Sequence, residues 1–329
     1  MIYRFITNFK LNFILGLLLA GLVLNAQAQQ SPILSEPGYY RMQFGDYEVI
    51  ALSDGTFSLN SSQLLTSPKP GEIKKLLDAA YLGTTVETSI NAYLIKTPDK
   101  LILVDVGCGT AMGPTLGQVA KSLSNAGYKP EQIDAVLLTH LHADHVGGLM
   151  NGTQMEFPNA MIYISKAEAG FWLSKENEAK ATARSKPFFK PAEASIAQYL
   201  KAGKVKTFDF GTTVFTDITA VSSLGHTPGS TMYILESKGQ KMIFWGDLVH
   251  ASSVQFADPS ITIQFDVDPA QAVASRKKVF AEAAKYHYWV AAPHISFPGI
   301  GQVQSTGNGS YNWLPANYCI VVPAQSPVK

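Results

Sequence analysis

Cysteine is nearly absent from this chain, with two among 329 residues, Cys108 and Cys319. Neither has the paired spacing of a zinc ribbon, which argues against a thiolate-held structural metal. An oxidising compartment would permit a disulfide. However, Cys108 lies in a glycine-rich turn and Cys319 near the C-terminus, and spacing alone does not bring them within bonding distance. Two buried free thiols are the alternative. A charge excess is also missing, since 26 Lys and Arg face 25 Asp and Glu. With no local Lys/Arg cluster either, the chain has no electrostatic footprint for nucleic acid. No low-complexity linker divides it.

The conspicuous hydrophobic run lies at the N-terminus. Arg4 and Lys10 precede an apolar stretch, Leu11 to Leu24, interrupted by Asn12. Ala26-Gln27-Ala28 follows as a small-x-small cleavage site. The apolar run is shorter than the roughly 20 residues of a spanning helix, and the three-part layout is that of a secretory signal peptide. No cysteine follows that would anchor a lipoprotein. Residues 1–28 are therefore expected to be removed, leaving a mature chain from Gln29, in the periplasm or secreted, with no stable membrane anchor. Loss of Arg4 and Lys10 leaves 24 basic residues against 25 acidic, a formal charge of −1. Residues 29–329 read as one domain.

The remaining chain alternates between strand and helix patterns. Period-two or buried apolar runs predict strands at Ala92–Lys96, Leu101–Val106, Ala135–Thr139, Met161–Ser165, Met232–Glu236 and Lys241–Trp245. Turn residues at Pro98-Asp99 and Lys238-Gly239-Gln240 join two pairs as hairpins. Helical spacing covers Thr115–Asn125, Lys166–Leu173, Ala192–Lys201 and Pro269–Tyr286, the last opened by a cap and a proline at Asp268-Pro269. Lys175–Pro191 is polar and weakly patterned, and reads as a long loop or lid. Hairpins interleaved with helices predict an α/β fold, two mixed β-sheets flanked by helices.

Histidine is scarce as well, at seven residues, yet five of them fall in one pattern. His140, His142, Asp144 and His145 share the run Thr-His-Leu-His-Ala-Asp-His. His226 follows in Gly-His-Thr-Pro-Gly, Asp247 in Trp-Gly-Asp-Leu, and His294 in Ala-Pro-His-Ile. Imidazole with carboxylate is the donor mixture of zinc and similar borderline metals. His140 and His142 continue a buried strand and project to one side, so one ion can take both, with His226. Asp144 and His145 lie past a turn and suit a second ion, with His294. Asp247 is the candidate bridge. Blander readings compete at each place: a helix cap for Asp144, a turn histidine for His226, a turn or cap carboxylate for Asp247, a core histidine for His294. Three histidines within six residues outweigh the first of these and strengthen the others. His250 and His287 fit no cluster and read as ordinary structural histidines. Two divalent ions, with zinc as the default, would lower the pKa of a water held between them and polarise the electrophile.

The His-x-His-x-Asp-His run with later His, Asp and His resembles the metallo-β-lactamase superfamily. That resemblance implies an αβ/βα sandwich with the dinuclear site at one edge of the sheets. A further resemblance, to the methyl parathion hydrolase family of organophosphorus hydrolases, spans nearly the whole mature chain. Pro37-Gly-Tyr-Tyr-Arg-Met42, Leu52-Ser-Asp-Gly-Thr56, Gly113-Pro-Thr-Leu-Gly117, Asp144-His-Val-Gly-Gly-Leu-Met150, Phe171-Trp-Leu-Ser174, Val254-Gln-Phe256 and Ser296-Phe-Pro-Gly-Ile-Gly301 carry it. It implies an exported homodimer that takes a small-molecule ester in an aromatic pocket beside the metals. Trp172 and Phe188 match two pocket walls by position, although Trp172 also reads as a core residue of an amphipathic helix. Met112 stands where the family's loop has an aromatic, and Ser230 where a second histidine is common. Asp105, in Val-Asp-Val-Gly, matches the superfamily's first motif. It is expected to orient a ligand histidine through its free ring nitrogen, or to be a strand-end turn carboxylate.

The expected reaction is attack by a metal-held hydroxide on a phosphotriester or on an ester or lactone carbonyl. Lactone hydrolysis, of an aryl or acyl-homoserine lactone, is the rival native activity. A β-lactamase and a non-catalytic metal-binding protein are more remote alternatives.

Overall fold

The computed structural model describes residues 36–318 with the exception of Ala111. The expected signal peptide and Cys319 lie outside the described residues. Seven strands from the first part of the chain lie side by side in chain order. They are β1 (Tyr39–Phe44), β2 (Tyr47–Asn60), β3 (Thr85–Lys96), β4 (Leu101–Val104), β5 (Ala135–Leu137), β6 (Met161–Ser165) and β7 (Val205–Phe208). The pairs from β1 to β4 are antiparallel and those from β4 to β7 parallel. A second seven-stranded sheet follows, again in chain order. It holds β8 (Thr213–Phe215), β9 (Ile218–Ser222), β10 (Thr231–Ser237), β11 (Gln240–Phe244), β12 (Trp289–Ala291), β13 (Ile300–Ser305) and β14 (Tyr311–Pro315). Within it, β11 and β12 pair in parallel.

Both expected hairpins form. Lys238 and Gly239 adopt φ of 48° and 76°, the doubly left-handed turn whose twist matches an antiparallel pair. Parallel neighbours require a crossover, and helices supply most of them. Val119–Asn125 lies between β4 and β5, Lys166–Lys201 holds three helices between β6 and β7, and Pro269–Tyr286 lies between β11 and β12. The last begins where the sequence places it, with the Asp268 side chain accepting from Gln271 N–H at 3.0 Å, and ends at His287 in a left-handed cap. The crossover from β5 to β6 is different. It carries His140 to His145.

Alternation of side chains across each strand explains the layering. Ile95, Ile102, Val104, Ala135 and Leu137 of the first sheet share a core with Leu235, Met242, Phe244 and Ala291 of the second. Their neighbours Leu94, Leu103 and Val136 face the other way, onto Leu123, Phe189, Ile196 and Tyr199 of the helices. On the outer face of the second sheet, Ile243 and Val290 meet Val279, Phe280 and Ala283 of the helix Pro269–Tyr286. Both faces of both sheets are thus covered, the αβ/βα sandwich.

The expected lid is a correction. Lys175–Lys180 and Lys186–Lys201 are helices. The first is short and polar, held by the Ser174 hydroxyl accepting from Asn177 N–H at 3.2 Å and by Lys175 reaching Glu193 at 2.6 Å. Local capping and ion pairs fix it, so it lacks the apolar period by which a helix is recognised.

Candidate metal centre

Every candidate ligand follows a strand. After β5 the chain bends at Thr139, is extended again at His142, then makes the single helical turn Ala143–Val146. Gly147 and Gly148 follow because nothing larger fits. A Cβ on either would lie 2.1 Å from Cys108 O or 2.0 Å from Val106 O. The loop after β4 is therefore packed directly under the turn that presents Asp144 and His145. Asp247 follows β11, His294 follows β12, and His226 lies in the β9–β10 connection. Thr231 N–H donates to Thr139 O at 2.9 Å and the Tyr233 hydroxyl to Leu138 O at 2.8 Å, clamping the two sheets together at this edge.

The seven side chains converge as two sets that share one residue. His140, His142, His226 and Asp247 form one, and Asp144, His145, His294 and Asp247 the other; within each, one donor atom per residue lies within 4.8 Å of the rest. Asp247 turns one oxygen to each set. Its Oδ2 is 3.2 Å from His226 Nε2 and 3.7 Å from His140 Nε2. Its Oδ1 is 3.0 Å from His145 Nε2 and 3.1 Å from His294 Nε2. His142 presents Nδ1, 3.0 Å from His226 Nε2. Two nitrogens bound tetrahedrally to one zinc lie roughly 3.3 Å apart, given bonds of about 2.05 Å. Three of these atoms show that the donors suit metals rather than each other. His140 Nε2, His145 Nε2 and Asp247 Oδ1 are buried with no hydrogen-bond partner, a costly state for polar atoms unless an ion takes their lone pairs.

A second layer sets the imidazole tautomers. Asp105 accepts from His145 Nδ1 at 2.8 Å and from the amide and hydroxyl of Thr139, each at 2.8 Å. The Thr139 hydroxyl in turn lies 3.0 Å from His140 Nδ1, so one carboxylate governs a histidine in each set. Asp105 holds φ at 55° to do this, a left-handed conformation that Asp tolerates better than most residues. His226 Nδ1 reaches Asp266 at 3.0 Å, and His294 Nδ1 reaches Ser89 O at 3.1 Å. With Nδ1–H engaged, Nε2 of each ring keeps its lone pair facing inward.

Electrostatics follow from burial against charge. Burial opposes ionisation of Asp247, but His145, His294 and His140 around it hold its carboxyl well below the usual range. Burial disfavours charge on His226 and His294 too, yet without metal the Asp247 carboxylate beside both raises them to about 9 and about 10, so an ion must displace a proton from each. His142, buried and next to His226, falls to about 3. Burial pushes Glu168 up to about 7, against hydrogen bonds from Thr227, Leu141 and Gly229. Every one of those partners is a donor, so the geometry suits its ionised form.

Several contributors are not evident from sequence reading. Asp266 and Glu168 belong to no motif. His250, read as an ordinary structural histidine, is a correction. Its Nε2 lies 3.1 Å from Asp247 Oδ2, its ring stacks on His294 at 5.3 Å, and its Nδ1 has no partner. Its position three residues after Asp247 was the available signal. Phe57 and Phe265, both half-buried, lie 6.3 Å from the His294 ring and 6.2 Å from the His250 ring.

The expected pocket walls divide. Phe188 is half-buried and 4.7 Å from the His142 ring. Trp172 is 1% exposed, packed on Phe189 and edge-on to His142 at 5.4 Å. It backs a ligand and offers no face to a substrate, because the helix Lys166–Trp172 turns it into the first sheet's core. Met112 is 43% exposed, with Sδ 3.5 Å from Cys108 Sγ, on the loop after β4. Ser230 closes the His226 turn by accepting from Thr227 N–H at 2.9 Å.

This fold and this donor set define a class. The chain belongs to the metallo-beta-lactamase superfamily, whose model matches residues 85–290. Among solved structures it is similar to AbOPH, a hydrolase of the beta-lactamase superfamily, with 38% identity, 87% of this chain and 99% of that one covered, and a TM-score of 0.83. It is also similar to AidC, a dizinc quorum-quenching lactonase solved with the product N-hexnoyl-L-homoserine. There the identity is 27%, the coverage 86% and 98%, and the TM-score 0.79. A curated relative, ribonuclease TTHA0252 of Thermus thermophilus, is 26% identical over 181 residues, 54% of this chain and 39% of the ribonuclease. The chain thus spans well under two thirds of that relative's length.

Proposed function

We propose that this protein is a two-metal hydrolase of small neutral esters, with a lactone as the best-supported substrate class and an aryl phosphotriester as a second substrate of the same site. The observation that carries the reading is Asp247, which directs one carboxylate oxygen into each of two abutting ligand sets. Divalent ions bound there would supply an activated water and polarise the substrate oxygen. The chain's own part is to hold and shield. His140, His142 and His226 face one side of Asp247, and Asp144, His145 and His294 the other. Asp105, Asp266 and Ser89 O keep the rings of His145, His226 and His294 from turning, and Thr139 does so for His140. Phe57 lies against His294 and Phe188 against His142, with Phe265 beside Phe188 and His250, an apolar surface that favours an uncharged substrate and limits water. His250 donates to Asp247 through Nε2.

Similarity to a dizinc lactonase across nearly its full length supports the lactone, and the resemblance to methyl parathion hydrolase supports the triester. Zinc is the expected metal. An apolar wall discriminates by only about 1–3 kcal/mol for a small change of fit, so one site should serve both. The zinc-loaded protein should hydrolyse N-acyl-homoserine lactone and dihydrocoumarin, turn over paraoxon more slowly, and leave nitrocefin intact. Turnover of nitrocefin alone would make it a β-lactamase. No turnover of any of the four by protein holding two zinc ions would favour a metal-binding role.

A further inference from the structure

We propose that Glu168 is a positioning residue that sets the spacing of the three histidines on one side of the centre, and on that side alone. This rests on the two-ion reading of the site. Glu168 is fully buried in the helix Lys166–Trp172 and touches no ligand side chain. Its Oε1 accepts from Leu141 N–H at 2.9 Å, and Leu141 lies between His140 and His142. Its Oε2 accepts from the Thr227 hydroxyl at 2.7 Å and from Gly229 N–H at 2.9 Å, in the turn that begins at His226. One carboxylate therefore ties together the two segments that supply His140, His142 and His226. Asp144, His145 and His294 receive nothing from it. Of these, His145 is held by Asp105 and His294 by Ser89 O.

The approach is close. A Cβ on Gly229 would lie 2.1 Å from Glu168 N and 2.4 Å from its Cα, so the helix start and the His226 turn meet at a distance only glycine permits. Ser165 Oγ fastens the same contact by donating to Gly229 O at 2.8 Å. A carboxylate is the group this place requires, because three donors converge on two oxygens. An amide of the same shape would turn its NH₂ toward either Leu141 N–H or Gly229 N–H. One buried backbone donor would then be left unpaired, and one ligand segment would be free to shift.

Stepwise removal of metal from the cobalt-loaded holoprotein tests this, with bound metal followed by visible absorption and metal analysis. Glu168→Gln should release one equivalent at about 10- to 100-fold lower chelator concentration, the range expected for loss of an outer partner. The other equivalent should leave where it does in the wild type. Thr227→Val, which deletes one of the three donors, should shift the same single equivalent by less. Ser174→Ala, which uncaps the neighbouring helix, should lower the melting temperature with both equivalents unmoved. The proposal is overturned if both equivalents shift together, or if neither moves. Should Glu168→Gln not fold, Thr227→Val carries the same decision. A wild-type protein binding fewer than two equivalents would overturn the two-ion reading instead.

Discussion

Replacing Asp105 by Asn isolates one carboxylate oxygen that serves both halves of the centre. Asn keeps the volume of Asp and shares its tolerance of the left-handed backbone that position 105 adopts, so the β4 loop should hold its course. What changes is the hydrogen-bond polarity. Asp105 accepts from three donors, the Thr139 amide, the Thr139 hydroxyl and His145 Nδ1–H. Asn has one acceptor oxygen and can satisfy the Thr139 amide with it. Its NH₂ then faces the Thr139 hydroxyl and the His145 ring. The hydroxyl can rotate to accept, but it then competes with His140 Nδ1–H for its lone pairs. His145 must either oppose donor to donor or move its proton to Nε2, the atom that points at Asp247.

Leaving one buried donor unpaired costs about 1–3 kcal/mol, roughly 5- to 150-fold in an equilibrium constant. That penalty should fall on metal binding, since the misoriented groups are ligands. Chelator competition should show weaker retention of metal by about that factor, and kcat/KM at limiting zinc should fall with it. Excess zinc should restore part of the activity, and circular dichroism should be unchanged. Wild-type metal retention and wild-type kcat/KM at limiting zinc would refute the claim that Asp105 controls the ligand tautomers.

Three further expectations follow from the same geometry. Asp247→Asn removes the negative charge shared by both ligand sets and should abolish most activity while the protein still melts cooperatively; metal analysis showing two tight equivalents and full turnover would disprove the bridge. In the metal-free protein His226 and His294 are raised above 6.5 to about 9 and about 10, so their stabilising charge is complete below pH 6.5 and is lost as pH rises through those values. The apoprotein's melting temperature should therefore fall across that window while zinc affinity rises, because metal needs the same nitrogens unprotonated; a pH-independent affinity would contradict the assignment. Finally, Trp172→Ala should act mainly on stability, by about 3–5 kcal/mol for a buried aromatic read from the denaturation midpoint, whereas Phe188→Ala should lower kcat/KM for aryl lactones by about 1–3 kcal/mol equivalent with metal content intact.

The parts of this molecule legible in its sequence are those whose chemistry is local. His140, His142, Asp144 and His145 announce themselves because two ligand sets are assembled from one strand end and one turn. Asp105, 40 residues from His145, is legible only because it matches the superfamily's first motif. The supports that hold the centre in shape are a different matter. Glu168 is 27 residues from Leu141 and 61 from Gly229, and Asp266 is 40 from His226. Nothing near either carboxylate in the chain marks it as more than an ordinary acid. They become visible only when the crossover helices and the β9–β10 turn meet at one edge of the sandwich. His250 is missed for a related reason: its role comes from reaching back to Asp247 and stacking on His294, and its place three residues after Asp247 was the one sequence signal. The fold shows the same division. Strands such as Tyr93-Leu94-Ile95, apolar on both faces, betray a sheet covered on both sides, while the polar helix Lys175–Lys180 is held by a cap and ion pairs that leave no apolar period. A sequence reading of this site therefore finds the atoms that bind and misses many of the atoms that aim. On these supports depends how firmly each ion is held.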